Sequence, residues 1–201
     1  MLGLPKATEL SKQLPKNAIY AKFQMNTAEK AKIDADISRI TIVNEVSAEK
    51  VHIAAGDQVK SFFVLLVALK KKDFDDKTII TISKLIPQNM LLVLECGDEA
   101  KLATYHTKLM QTEWKRKEEL SVELKGLNLD AVWENIIIQI GGITVDQGNT
   151  LDEQIAVDEQ RRKIQKEIDG LTKQAKNEKQ PKKKFELVQK MNRLKKELEE
   201  I

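Results

Sequence analysis

V-K-S-F-F-V-L-L-V-A-L, Val59 to Leu69, is the stretch on which the fold turns. Eight apolar residues run unbroken from Phe62 to Leu69, rich in β-branched and aromatic types. A strand with one wet face alternates apolar and polar residues, whereas a short continuous run between polar borders fits a strand covered on both faces. The borders are Gly56-Asp57-Gln58 before it and Lys70-Lys71-Lys72-Asp73 after it. The run is therefore expected to be the central strand of a mixed sheet, with the chain up to about Gly142 packed around it. Phe63 and Leu66, or whichever neighbours face the crossover helix, are expected in the core.

Downstream, Asp73 or Asp75 is placed to cap a helix through Leu85, with Ile79, Ile82 and Ile86 on its apolar face and Pro87 as its stop. Met90-Leu91-Leu92-Val93-Leu94 is a second all-apolar strand. Cys96-Gly97-Asp98-Glu99 reads as a turn, and Lys101 to Leu109 as a returning strand. The two apolar strands and the helix between them form a β-α-β unit, expected to be parallel with a right-handed crossover. The last two strands should make a hairpin. A helix from a capping Asp130 to Ile140, stopped by Gly141-Gly142, is expected to cover the face opposite the crossover helix, together with the N-terminal helices.

Upstream, Pro5 to Leu14 reads as a short helix ended by Pro15, on the spacing of Leu10 and Leu14. Residues 17–23 are ambiguous. Asn26 or Thr27 caps a helix to about Asp36, Ile40-Thr41-Ile42-Val43 is a strand, and Val51-His52-Ile53 is a short extended piece.

Beyond Gly142 the period changes. Thr150 and Glu153 form a capping box. Val157, Arg161, Ile164, Ile168, Leu171 and Ala175 then recur at spacings 4, 3, 4, 3, 4, and Leu187, Met191, Leu194, Leu198 and Ile201 at 4, 3, 4, 3. These are two heptad seams, with Pro181 suited to the first turn of the second helix. The expected architecture is a small α/β (α+β) domain over residues 1–146, followed by an antiparallel coiled-coil helical hairpin over 150–201. The first hairpin helix, at about 28 residues, would be roughly 42 Å long.

Composition narrows function without naming it. Aromatic residues are 4%, which argues against a single-strand binder that stacks bases on aromatic platforms. Gly and Pro number 8 and 4, which favours long helices over a sandwich of short strands. The single cysteine, Cys96, excludes an internal disulfide and reads as a small hydrophobe at a strand end. The N-terminal M-L-G-L-P-K lacks the apolar core of a signal peptide, and the longest apolar run is about half a membrane span. A cytoplasmic protein with no membrane contact is expected.

The net charge of +3 comes from one place. From Thr150 onward there are 14 Lys and Arg against 11 Asp and Glu, while the first 149 residues hold 20 of each. Between Lys173 and Lys196 the chain carries ten positive and two negative residues. The ten are Lys173, Lys176, Lys179, Lys182, Lys183, Lys184, Lys190, Arg193, Lys195 and Lys196, the candidate binding residues for nucleic-acid phosphates or an acidic protein. Their bland reading is a solvated helical surface. Lys outnumbers Arg nine to one among them, whereas base recognition prefers Arg.

No catalytic constellation stands out. Glu99-Ala100-Lys101, with Asp73 or Asp75, has the outline of a metal-dependent nuclease site, but Glu123-Leu124-Lys125 repeats the triplet and the order of elements is wrong for such a site. His52 and His106 have no partner pattern, Ser61 lacks a glycine elbow, and neither G-x-x-x-x-G-K-[ST] nor G-x-G-x-x-G occurs. No cofactor and no metal are expected.

Four stretches in this order resemble a bacterial family known as domain of unknown function 4391: Leu85-Ile86-Pro87-Gln88-Asn89-Met90-Leu91-Leu92-Val93-Leu94-Glu95, Thr112-Glu113-Trp114, Gly126-Leu127-Asn128-Leu129-Asp130-Ala131-Val132-Trp133-Glu134-Asn135, and the charged helical tail. The resemblance covers most of the chain, rests on structural motifs and brings no catalytic residues with it. It implies gene neighbourhoods shared with helicases and DNA methyltransferases of restriction-type systems, and so an accessory role near DNA processing. Three readings stay open: an interaction protein that docks a protein partner through its basic arm, a nucleic-acid-binding accessory subunit using the same arm, and a diverged metal-dependent nuclease. Dimerisation through the arm would cover the seam that a lone hairpin leaves open.

Overall fold

The computed structural model describes residues 2–84 and 86–201; Leu85, the expected end of the crossover helix, lies outside them. The chain divides into two compact units, one up to Ile143 and one from Thr144 to Ile201.

The first unit is α+β, built on one sheet in the order β1-β2-β3-β4-β5-β6, with β7 also pairing β5. Its strands are β1 (Glu9–Leu14), β2 (Ile37–Ser47), β3 (Ser61–Leu69), β4 (Asn89–Cys96), β5 (Glu99–Tyr105), β6 (Leu109–Gln111) and β7 (Lys115–Arg116). The expected central strand is β3, between β2 and β4. It runs parallel to β4, with Leu65 opposite Leu92, and the other strand pairs are antiparallel.

Helices α1 (Lys16–Lys22), α2 (Thr27–Asp36) and the crossover α4 (Asp76–Ser83) share one face of the sheet. There Ile19, Ile33, Ile79 and Ile82 pack with Leu65, Val67, Leu92 and Leu94. The other face takes α5 (Leu129–Gly141), whose Trp133 ring lies 5.1 Å from that of Phe62. The N-terminal helices thus join the crossover helix instead of sitting opposite it, and α5 has its face to itself. Both faces of β3 are covered, but unequally. Phe62, Val64, Leu65 and Val67 are fully buried, whereas Phe63 and Leu66 are only half-buried. Phe63 packs, half-buried, against the cluster that includes the crossover helix, and the fully buried leucine that β3 gives to that cluster is Leu65, the neighbour of Leu66.

Several local readings are corrected. Glu9–Leu14 is an exposed edge strand against β2, not a helix; only the turn of 3-10 helix Lys6–Thr8 precedes it. Pro15 begins a helix instead of ending one: it occupies the cap of α1 with φ −65°. Residues 48–51 form the one-turn helix α3 (Ala48–Val51), and the extended contact falls instead at Ala54, which bridges Asn128. The returning strand stops at Tyr105, and residues 106–108 turn into β6. Asn26 and Glu29 form the expected start of α2 as a reciprocal capping box. Asp75 caps α4, accepting from the Lys77 N–H at 2.9 Å.

At α5 the cap is Asn128, whose Oδ1 accepts from the Ala131 N–H, and Asp130 has another task. Its carboxylate accepts the backbone N–H groups of Asp57 at 2.6 Å, Gln58 at 3.2 Å and Val59 at 2.7 Å. The loop that leads into β3 is thereby tied to the start of α5. Gly56 is required there: a Cβ on it would lie 2.1 Å from Asp130 Oδ1. The helix ends where expected, with Gly142 left-handed at φ 58°.

The second unit is a pair of antiparallel helices packed together, α6 (Leu151–Asn177) and α7 (Pro181–Glu200). Thr150 and Glu153 form the capping box that opens α6, and Pro181 holds the first position of α7. Among the described residues, no helix is long and apolar enough to cross a membrane.

Candidate basic docking site

The helical pair is held along its seam. Ile164, Ile168, Leu171 and Ala175 of α6 are buried, as heptad positions facing a partner helix should be. Contacts along the pair fix its direction: Arg161 Nη2 donates to the Ile201 carbonyl at 2.8 Å, and Thr172 Oγ1 lies 3.3 Å from Met191 Sδ. The link between the helices is short because Glu178 stays hydrogen-bonded to α6 through its N–H. Its carboxylate also accepts from the Gln180 N–H at 2.8 Å, which orients the chain for Pro181.

This geometry places the ten candidate residues, all of them exposed. Lys173 and Lys176 stand on the last turns of α6, Lys179 in the link, and Lys182, Lys183 and Lys184 on the first turn of α7. These six gather at one end of the hairpin, and none carries an ion pair among the described residues. Arg193, Lys195 and Lys196 lie on the second half of α7, away from that end. Lys190 is the exception to the open charges: it pairs with Glu167 at 2.7 Å across the hairpin.

At the same end the helices leave an open cleft of about 700 Å³. Its walls include Lys173, Asn177, Glu178, Lys183, Leu187 and Lys190. Phe185 is 62% exposed on the adjoining turn of α7. No residue of α7 is buried; its seam residues Leu187, Met191, Leu194 and Leu198 all keep partial exposure. The heptad count alone reveals neither the cleft nor the exposure of Phe185. Both depend on where the helices separate near the link.

The nuclease-like triplet has a different environment. Glu99 and Lys101 do share a face of β5, as alternate strand residues must. Glu99 is paired with Lys72, and Asp75 is committed to its cap. The Lys101 ammonium stands 4.7 Å from the Phe74 ring centroid and 5.2 Å from that of Trp114. Burial pushes Lys101 below the usual lysine range, with Asp76 and Glu113 opposing the shift. Among the described residues no group of three or more His, Cys, Asp or Glu side chains stands where it could hold a metal. His52 lies in the left-handed residue that ends α3, His106 in the turn before β6, and Cys96 is half-buried against the core at the end of β4.

No curated protein and no solved structure matches the chain. One family model does, over residues 2–198, which takes in both the sheet unit and the helical pair. The chain therefore belongs to the family described as Domain of unknown function (DUF4391).

Proposed function

We propose that this is a non-enzymatic interaction protein, an accessory subunit that uses its coiled-coil arm to dock an acidic partner protein. The observation that carries the reading is the group of six lysines at one end of the hairpin, without an ion pair among the described residues, two of which, Lys173 and Lys183, line an open, partly apolar cleft. Lysine is costly to immobilise and gains little from a solvated ion pair, so an open cluster of this kind becomes useful when a partner supplies the opposite charge. Leu187 and Phe185 add apolar surface that a phosphate backbone would not use but a protein surface would. The neighbourhood implied by the family resemblance, with helicases and DNA methyltransferases, points to a partner within a restriction-type DNA-processing system.

The lysine density also supports a second reading, in which the same end neutralises nucleic-acid phosphates without reading sequence. The test is the variant Lys173→Glu/Lys176→Glu/Lys179→Glu, which leaves α7 untouched. In affinity capture from the native host, an acidic protein is expected with the unaltered chain and absent with the variant. An identical captured set from both would overturn the docking reading. Titration of duplex DNA at several salt concentrations separates the second reading: binding whose affinity falls steeply with salt, and is lost in the variant, transfers the lysines to nucleic acid.

A further inference from the structure

The sheet unit holds one lysine that its ion pairs do not account for. Lys101 lies on the α4 face of β5, two residues before Ala103, which belongs to the core cluster on that face. Two partly buried rings packed on the same cluster flank its ammonium, Phe74 at 4.7 Å and Trp114 at 5.2 Å to the ring centroids. Among the described residues it is the one lysine set against two rings, and it has no ion pair. Lys72 also meets the Trp114 ring, but it is exposed and paired with Glu99.

An amine in this position differs from a surface lysine. The rings attract the ammonium, but they also stand where water would otherwise solvate it. The charged groups around it are Asp76 of α4, Glu113 from the segment after β6, Glu99 of its own strand and Lys72 from the loop before α4. Glu99 is neutralised by Lys72, which leaves Asp76 and Glu113 to favour the charged form. Burial outweighs these two carboxylates and holds Lys101 below the usual lysine range. More of it is therefore the free amine near neutral pH, the form in which lysine is a nucleophile. The residue also keeps partial exposure, which leaves it open to a small reagent.

We propose that Lys101, flanked by Phe74 and Trp114, is a covalent acylation site that takes a small activated acyl group from an acyl phosphate or a thioester. The Nζ lone pair forms a bond to the acyl carbon, the bond from that carbon to the phosphate oxygen or the thioester sulfur breaks, and the nitrogen gives up one proton to water. The product is a neutral amide. It removes the charge that burial opposes and leaves a small apolar group beside the rings, whereas methylation would keep a cation there. Lys101 belongs to the sheet unit, so the proposal stands or falls separately from the docking reading above.

The test is competitive acetylation of the full chain with acetyl phosphate and, separately, with an acetyl thioester, followed peptide by peptide by mass spectrometry. Exposed Lys115, on the neighbouring strand β7, is the internal reference. At about pH 7.5 Lys101 should react at least threefold faster than Lys115, and the advantage should vanish at about pH 11, where both amines are free. In guanidinium, which removes the rings and the burial together, the two should react alike. Glu113→Gln removes a carboxylate that favours the ammonium and should widen the ratio in the folded chain. The donor that gives the larger ratio identifies the source of the acyl group. A folded-chain ratio of one or less with both donors, an advantage that persists in guanidinium, or a ratio that Glu113→Gln leaves unchanged or narrows would each overturn the proposal.

Discussion

Leu65→Ala and Leu66→Ala form a matched pair of perturbations on adjacent residues of β3. Leu65 is fully buried, with Ile42 of β2 and Leu92 of β4 as its register partners and Ile79 and Ile82 of α4 in the same cluster. Removing three carbons from a leucine forfeits roughly 2.4 kcal/mol at about 0.8 kcal/mol per methylene. Strands fixed on both sides leave little freedom to collapse into the void, so a cavity cost adds to this and the total should be about 3–5 kcal/mol. Leu66 lies on the α5 face and is only half-buried, so its truncation should cost about 1–2 kcal/mol. Urea denaturation followed by circular dichroism measures both. The midpoint should fall further for Leu65→Ala, with the slope unchanged. At about 2–4 °C per kcal/mol for a chain of this size, the melting temperature of Leu65→Ala should drop by roughly 10 °C. Equal losses, or a larger loss at Leu66, would mean that the strand is rotated by one residue and that the assignment of its faces is wrong.

Two further outcomes concern the tie between α5 and the loop before β3. Backbone N–H groups, that of Val59 first, hold the Asp130 carboxyl below the usual carboxylate range. A depressed folded value means that the stabilisation is complete above the unfolded carboxylate pKa and is lost as pH falls through the folded one. Asp130→Asn should therefore lower stability at pH 7 and flatten the acid limb of a pH–stability profile; a profile with an unchanged acid limb would remove Asp130 from that role. Gly56→Ala would force a methyl group to 2.1 Å from Asp130 Oδ1 and 2.7 Å from its backbone nitrogen, and should cost about 1–3 kcal/mol in the same urea titration. A neutral result there would show that the loop can move away from α5.

What could be read from the chain was local. The apolar runs of β3 and β4, the capping boxes at Asn26 and Thr150, the stop at Gly142 and the start at Pro181 each follow from residues within a turn or two of one another. What could not be read depended on distant partners. Leu10 and Leu14 have helical spacing, yet β2 offers an edge around Ile40–Asn44 and pairing to it prevails. Asp130 has the position of a cap, but its acceptor oxygens serve N–H groups more than seventy residues earlier. An unbroken apolar run carries no phase, so nothing in Phe62 to Leu69 says that Leu65 is the better covered neighbour of Leu66. The candidate site divides the same way. Heptad counting places the lysines near the link, whereas the cleft and the Lys190 to Glu167 pair require the register of the hairpin.

The two units also use charge in opposite ways. In the sheet unit the acids that matter are committed internally. Asp36, nearly buried, is held by Lys71 and the Asp75 N–H; Asp34 by Lys16 and Tyr20; Glu99 by Lys72; Glu95 by Lys117. Such pairs fix loops and strand ends, and they leave little free charge for recognition. On α7 eleven charged residues span 20 positions, and one of them, Lys190, has an ion-pair partner among the described residues. Each dipole-opposed charge at a helix end costs about 0.3–1 kcal/mol when left alone at low salt. A helix that carries six of them, Lys182, Lys183 and Lys184 in its first turn and Glu197, Glu199 and Glu200 in its last, is held by its apolar seam against α6 and not by its own sequence. The stability of α7 should therefore rise on any contact that neutralises its ends. Binding and folding of the arm are coupled in sign: whatever covers α7 also makes it a better helix.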